Sequence, residues 1–149
     1  MTRPFSLQSV LELMQSRTDE ATRNLARLIA NEKDAKTKLG MLIGYRDEYA
    51  GRLREAAQAG LTQREWQNFQ HFLGRLDEAI EQQRKTVEAQ ERNTAAGQLQ
   101  WQQQRTKLKA FDTLSERHYT SENLKAMKRE QKLQDEFAAR AKDKPDNDA

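Results

Sequence analysis

The sequence predicts an all-α fold: a long two-helix antiparallel coiled-coil hairpin with an overhanging C-terminal helix and a disordered C-terminal tail. Three observations lead there. The 149 residues are only 36% hydrophobic and 33% charged, with mean hydropathy −1.07, too few apolar side chains to fill a thick core. Two prolines and six glycines leave few breakers, and Gln, Glu, Arg, Lys, Leu and Ala, all good helix formers, dominate. A seven-residue apolar period runs through most of the chain and is interrupted once.

Helix one is expected over about 7–58. Leu7, Met14, Ala21, Leu28, Ala35, Leu42, Tyr49 and Ala56 form one apolar row. Four residues after each come Leu11, Thr18, Leu25, Glu32, Leu39, Arg46 and Leu53, where apolar and polar alternate. Alternating steps of four and three make one stripe down a helix, the seam of a coiled coil. Ser6 or Ser9 can cap its start, Ser9 having Glu12 three residues on. At 1.5 Å per residue this is a rod of roughly 75–80 Å.

The interruption is the tip, expected at 59–62. Gly60 is the residue wanted at a helix C′ position, where φ turns positive. Thr62 and Glu65 make a T-x-x-E capping box, with Leu61 and Trp66 placed as a hydrophobic staple. A connection this short folds the second helix back antiparallel to the first.

Helix two, expected over about 63–141, continues the period with Trp66, Leu73, Ile80, Val87, Thr94, Trp101 and Leu108. Its second row holds Phe69, Leu76 and Phe111, but also Gln83, Gln90, Gly97 and Gln104. Looser or wetter packing is therefore expected mid-hairpin, and the strongest packing near the tip. Antiparallel pairing of residue i with about 120 − i exhausts helix one near position 113. Helical residues continue beyond it, with Leu114, Leu124, Met127, Leu133 and Phe137 as an apolar face. An amphipathic helix without a partner is marginal in water, so this overhang is expected to order against another protein. Residues 142–149 read as a disordered tail. The whole chain, 1–149, reads as a single hairpin domain.

Composition narrows the function. With no cysteine, disulfides and thiolate zinc sites are excluded. No apolar run approaches the roughly 18 residues needed to span a bilayer. The N-terminal MTRPFSLQSVLELMQS has no apolar core or cleavage site of a signal peptide, so a reducing, cytoplasmic location is expected. The net charge of +3 is mixed in sign along the chain and does not argue for nucleic acid. Arg92, Arg105, Lys107 and Lys109 form an acid-free stretch, but without the dense basic stripe and stacking aromatics that nucleic-acid binding wants. His71 and His118 lie far apart, and the adjacent pairs Asp19-Glu20 and Asp47-Glu48 diverge on a helix. No phosphate-cradling loop, nucleophile elbow or metal-ligand spacing is present, so no enzyme activity, catalytic residue, metal or cofactor is expected.

Surface features are more informative. Gly40, Gly44 and Gly51 fall on the outer side of helix one, either as tolerated drift or for close approach of another backbone. Tyr45 lies beside the seam between Leu42 and Tyr49. Phe72, Leu76, Ala79 and Gln83 make a matching row on helix two, and the pairing rule makes the two rows neighbours. An apolar strip wider than a two-helix seam requires reads as a docking site.

The stretches KLGMLIGYRDEYAGRL and REWQNFQHFLGRLDEAIEQQ, flanking the tip, resemble the FliJ family of flagellar protein-export components. The likeness covers nearly the whole chain, through an L-I-x-Y-x-x-E-Y segment, a W-x-x-[YF]-Q-x-F segment and a late DEFAARA. The resemblance implies a non-enzymatic central stalk of the flagellar type III export ATPase, an antiparallel coiled coil similar to the γ subunit of F-type ATP synthases. It implies that the terminal half enters and stimulates the hexameric ATPase ring, through Leu114, Leu124, Met127, Leu133 and Phe137 on the overhang. It implies that the region nearer the tip engages the cytoplasmic domain of the membrane export-gate protein. By position the gate-binding patch is Lys38, Leu42, Tyr45, Tyr49, Phe72, Leu76, Ala79 and Gln83, with Lys38 and Gln83 departing from the family's glutamine and histidine. Export chaperones are further partners, and the location is peripheral at the cytoplasmic face of the inner membrane, without insertion. The stalk of an injectisome-type secretion ATPase and a plain coiled-coil adaptor are the rival readings. A hairpin entering RNA polymerase would need paired aspartates that the tip REAAQAGLTQRE lacks.

Overall fold

The computed structural model describes residues 4–143. They form two antiparallel α-helices, α1 (Gln8–Ala59) and α2 (Gln63–Lys142), with no strand among the described residues. The expected disordered tail lies, from residue 144 on, outside the described residues. Two compact units divide the chain: Asp19–Gln102, which carries the turn, and Met1–Thr18 with Gln103–Ala149.

In the unit Asp19–Gln102 the turn is built as its residues dictate. Gly60 has φ 99°, a conformation that costs a side chain dearly and glycine nothing. The Glu65 N–H donates to Thr62 Oγ1 at 3.2 Å, the first half of a capping box. The Trp66 N–H closes the first turn of α2 on Thr62 O at 3.0 Å. Trp66 itself stays 45% exposed, so the α2 seam starts one turn later, at Phe69, than the heptad row suggests.

From there the expected stripe is the observed one. On α1, every predicted seam residue from Ala21 to Ala56 is buried or half-buried. Leu53, Ala35, Ile80 and Val87 are the buried apolar members of this unit. Tyr49 packs its ring on Phe69 (centroids 5.2 Å apart) and on Phe72 (4.4 Å). Arg46 pairs with Asp77, Gln83 Nε2 donates to Ala35 O at 3.0 Å, and Thr94 Oγ1 donates to Leu28 O at 3.3 Å. Trp101 Nε1 donates to Thr22 Oγ1 at 2.9 Å. These pairings follow the expected antiparallel register within a few residues.

The glutamine-and-glycine row of α2 faces α1, as the period requires. Gln83 and Gly97 are buried, and Gln90 is half-buried with a fully buried Oε1. A Cβ on Gly97 would sit 2.5 Å from Leu28 Cδ1, so the leucine occupies the space a side chain there would take. No described side chain of the chain is completely buried. The seam is thin, and apolar burial at about 25 cal/mol per Å² stabilises it over length rather than depth.

In the terminal unit, α1 residues 8–18 pack against α2 from Gln103 on. Leu11 and Thr18 are buried, and Thr18 Oγ1 donates to Met14 O at 2.7 Å while lying 3.4 Å from Gln104 O. Phe5, which precedes α1, is also buried, with its ring 5.5 Å from that of His118. The expectation that intramolecular pairing stops near 113 is therefore corrected. The segment before the first helical turn carries it on to His118, and Ser115 and Glu122 on the same face of α2 are buried as well. Beyond Ala126 every described residue is exposed.

Candidate functional site

Two surfaces come from the predicted residues, one in each unit. Among the described residues no group of His, Cys, Asp or Glu is placed to hold a metal ion, and no helix is long and apolar enough to cross a membrane.

In the turn-bearing unit, α1 presents Leu42, Tyr45 and Tyr49 and α2 presents Phe72, Leu76 and Ala79. The helices sort these by depth. Leu42, Tyr49, Leu76 and Ala79 are half-buried, while Tyr45 at 53% and Phe72 at 44% stand out to solvent. Tyr49 bridges the helices through its ring contacts, so it is as much a core residue as a surface one. Tyr45, Tyr49 and Phe72 line one shallow concavity together with Glu48 and Arg52. Those last two form an ion pair at 3.0 Å, i to i+4 along α1. Sequence reasoning passed over them, although Glu followed by Arg at that spacing is a readable helix-surface signal.

The edges of the predicted patch differ. Lys38 is exposed and outside the concavity. Gln83, at 9% exposure, turns into the seam, where Ala35 O takes its amide hydrogen. Its position in the heptad row decides this, so its side chain is spent on α1. Next to the aromatic cluster, Asp77 raises the Arg46 guanidinium above its ordinary value, first by hydrogen bond and second by charge. The pair therefore keeps its cation at any ordinary pH. The pair is largely exposed, so solvent screens it and it contributes little to stability.

Gly40 and Gly44 lie on the solvent side of α1, where a Cβ would meet nothing within 4 Å. Among the described residues no other backbone comes within 4 Å of that Cβ position.

In the terminal unit, Leu114, Leu124, Met127, Leu133 and Phe137 are all exposed, Phe137 most of all at 76%. At 100° per residue, Leu124, Met127, Leu133 and Phe137 spread over about half the helix circumference, and Leu114 points away from them. They form a broad apolar face rather than a narrow stripe. A shallow concavity at its start is lined by Thr113, Glu116, Arg117, Thr120, Ser121 and Leu124.

The described residues define an all-α hairpin of two long helices with a thin seam and apolar side chains left exposed. The chain belongs to the flagellar FliJ protein family, whose model matches residues 3–144. It is 32% identical to the flagellar FliJ protein of Escherichia coli K12 over 141 residues, 95% of this chain and 96% of that one. It is 30% identical to the FliJ protein of Salmonella typhi over the same shares of both chains. The FliJ protein of Buchnera aphidicola is 23% identical over 131 residues, 87% of this chain and 86% of that one. None of these relatives bears the name of an enzyme.

Proposed function

We propose that this protein is a non-enzymatic component of flagellar protein export, a stalk that joins the export ATPase ring to the membrane export gate. It works in the cytoplasm, at the cytoplasmic face of the inner membrane, and also contacts export chaperones. The single observation that carries the reading is the concentration of exposed apolar side chains on the α2 segment that outruns α1, from Leu124 to Phe137. A free helix face of this kind gains by docking into a protein cavity. The Tyr45–Tyr49–Phe72 concavity supplies a second, separate contact, suited to the gate. The flagellar names of the relatives favour this system over an injectisome stalk.

Coupling requires that the stalk bind different states of the ring with different affinities. The test is ATP hydrolysis by the cognate export ATPase, alone, with the full chain, and with a chain ending at Asp112. Stimulation by the full chain and its loss on truncation are expected. Equal rates in all three, with ring assembly unchanged, would remove the stalk reading and leave an adaptor. For the gate contact, Tyr45→Ala is the clean variant, because Tyr45 is exposed while Tyr49 holds the helices together. It is expected to weaken gate binding at least about tenfold, in the range of interface hot spots, and to leave ATPase stimulation intact.

A further inference from the structure

The polar row on α2 serves no purpose in specifying the fold. Buried polar residues in coiled coils characteristically fix register and orientation at some cost in stability. Here residues 60–62 already fix both, because a link that short permits only one pairing. Yet Gln90 Oε1 is buried without a hydrogen-bond partner among the described residues. One heptad nearer the turn, Gln83 in the same row is satisfied by Ala35 O, so a glutamine at these positions can be accommodated. One heptad further, Gly97 gives the seam no side chain at all and leaves Leu28 to fill the gap.

Bonds that cross the seam in this stretch include Thr94 to Leu28 O at 3.3 Å, Trp101 to Thr22 at 2.9 Å and the exposed Lys36–Glu91 pair at 3.6 Å, and water replaces bonds of this kind readily. Toward the turn the seam holds Leu53, Ile80, Val87 and the Tyr49–Phe69–Phe72 ring cluster, none of which water satisfies. Buried apolar side chains therefore thin out along this unit with distance from the turn. Local opening follows such gradients.

We infer that the seam around Gln90 and Gly97 is a conformational device, at which α1 and α2 part reversibly while the aromatic end stays closed. Parting lets water reach the Gln90 carbonyl and frees Leu28. In the terminal unit, Gln104 Oε1 continues the row, also buried without a partner among the described residues. The closed aromatic end keeps the docking concavity intact whichever state the polar stretch is in. That the opening is used in export rests on the function proposed above. That it exists does not.

Hydrogen exchange on the full-length protein, read by mass spectrometry, tests it. Peptides covering 22–28 and 90–101 are expected to exchange at least about tenfold faster than those covering 42–53 and 69–80, the ratio one unsatisfied buried group produces. Gln90→Leu, which removes the orphan acceptor, is expected to slow exchange in the first pair about tenfold and leave the second pair unchanged. Gln90→Glu, which buries a charge in the same volume, is expected to speed it. Equal protection along both helices, or a Gln90→Leu protein with the wild-type pattern, would overturn the inference. Cells carrying Gln90→Leu are expected to spread more slowly in soft agar at normal protein level. Normal spreading with slowed exchange would show a seam whose opening does no work, and would overturn the device. Failure to stimulate the ATPase bears on the proposed function alone.

Discussion

Gly40, Gly44 and Gly97 occupy the same kind of helix and do opposite things. At the first two a Cβ meets nothing within 4 Å, and the backbone bears the entropic cost of glycine for no contact inside the chain. Gly40→Ala and Gly44→Ala should each raise unfolding free energy by about 0.5–1 kcal/mol, read by thermal or urea denaturation. At Gly97 the same gain is offset by the displacement of Leu28, and a larger side chain has nowhere to go. Gly97→Leu should destabilise by about 1–3 kcal/mol. The sequence placed Gly97 in the seam row correctly. That Leu28 fills its place depends on a side-chain direction no periodicity encodes. Tyr45 and Tyr49 are a second contrast. Both stood in one candidate patch, yet only the structure separates the exposed ring from the one wedged between Phe69 and Phe72. Tyr49→Ala should therefore lower the melting temperature appreciably, and Tyr45→Ala should leave it within error.

At the level of elements, the turn was the most legible part of the chain. Glycine for positive φ and threonine for an N-cap are local chemical requirements, and both are met where the residues stand. Thr62→Ala should cost about 1 kcal/mol of stability, without changing the helix content of the folded state seen by circular dichroism. The seam rows were equally legible, since two residue spacings suffice to define them. Less legible was where each helix stops finding partners. Phe5 lies before the first turn of α1, outside any period, and its contact with His118 extends the pairing further than the heptads indicate. The placing of Gln83 at the rim of the patch was hard to read for a related reason. A glutamine in a seam row faces inward whatever the family resemblance assigns to it, and Gln83 does.

For the whole molecule, the fold class followed from a period, one interruption and a shortage of apolar residues, because a hairpin has few alternatives. The docking faces were legible only as excess: apolar side chains left over after the seam is filled. Such a remainder marks candidate surfaces and leaves binding, and any partner, to experiment. A chain ending at Asp112 should keep the helicity and ring cluster of the unit Asp19–Gln102, seen by circular dichroism and near-ultraviolet signal, while losing the exposed face that runs from Leu124 to Phe137.

The burial of Phe5 against His118 also has a bearing on how the chain assembles. Tyr49 and Phe69 are separated by a short stretch of chain across the turn, whereas Phe5 and His118 are separated by nearly all the paired sequence. Closing a long loop costs more entropy than closing a short one, so helix pairing begins at the turn and zips outward. Phe5 and His118 are then among the last residues to find their places. Replacing Tyr49 should slow refolding, while replacing Phe5 should chiefly hasten unfolding.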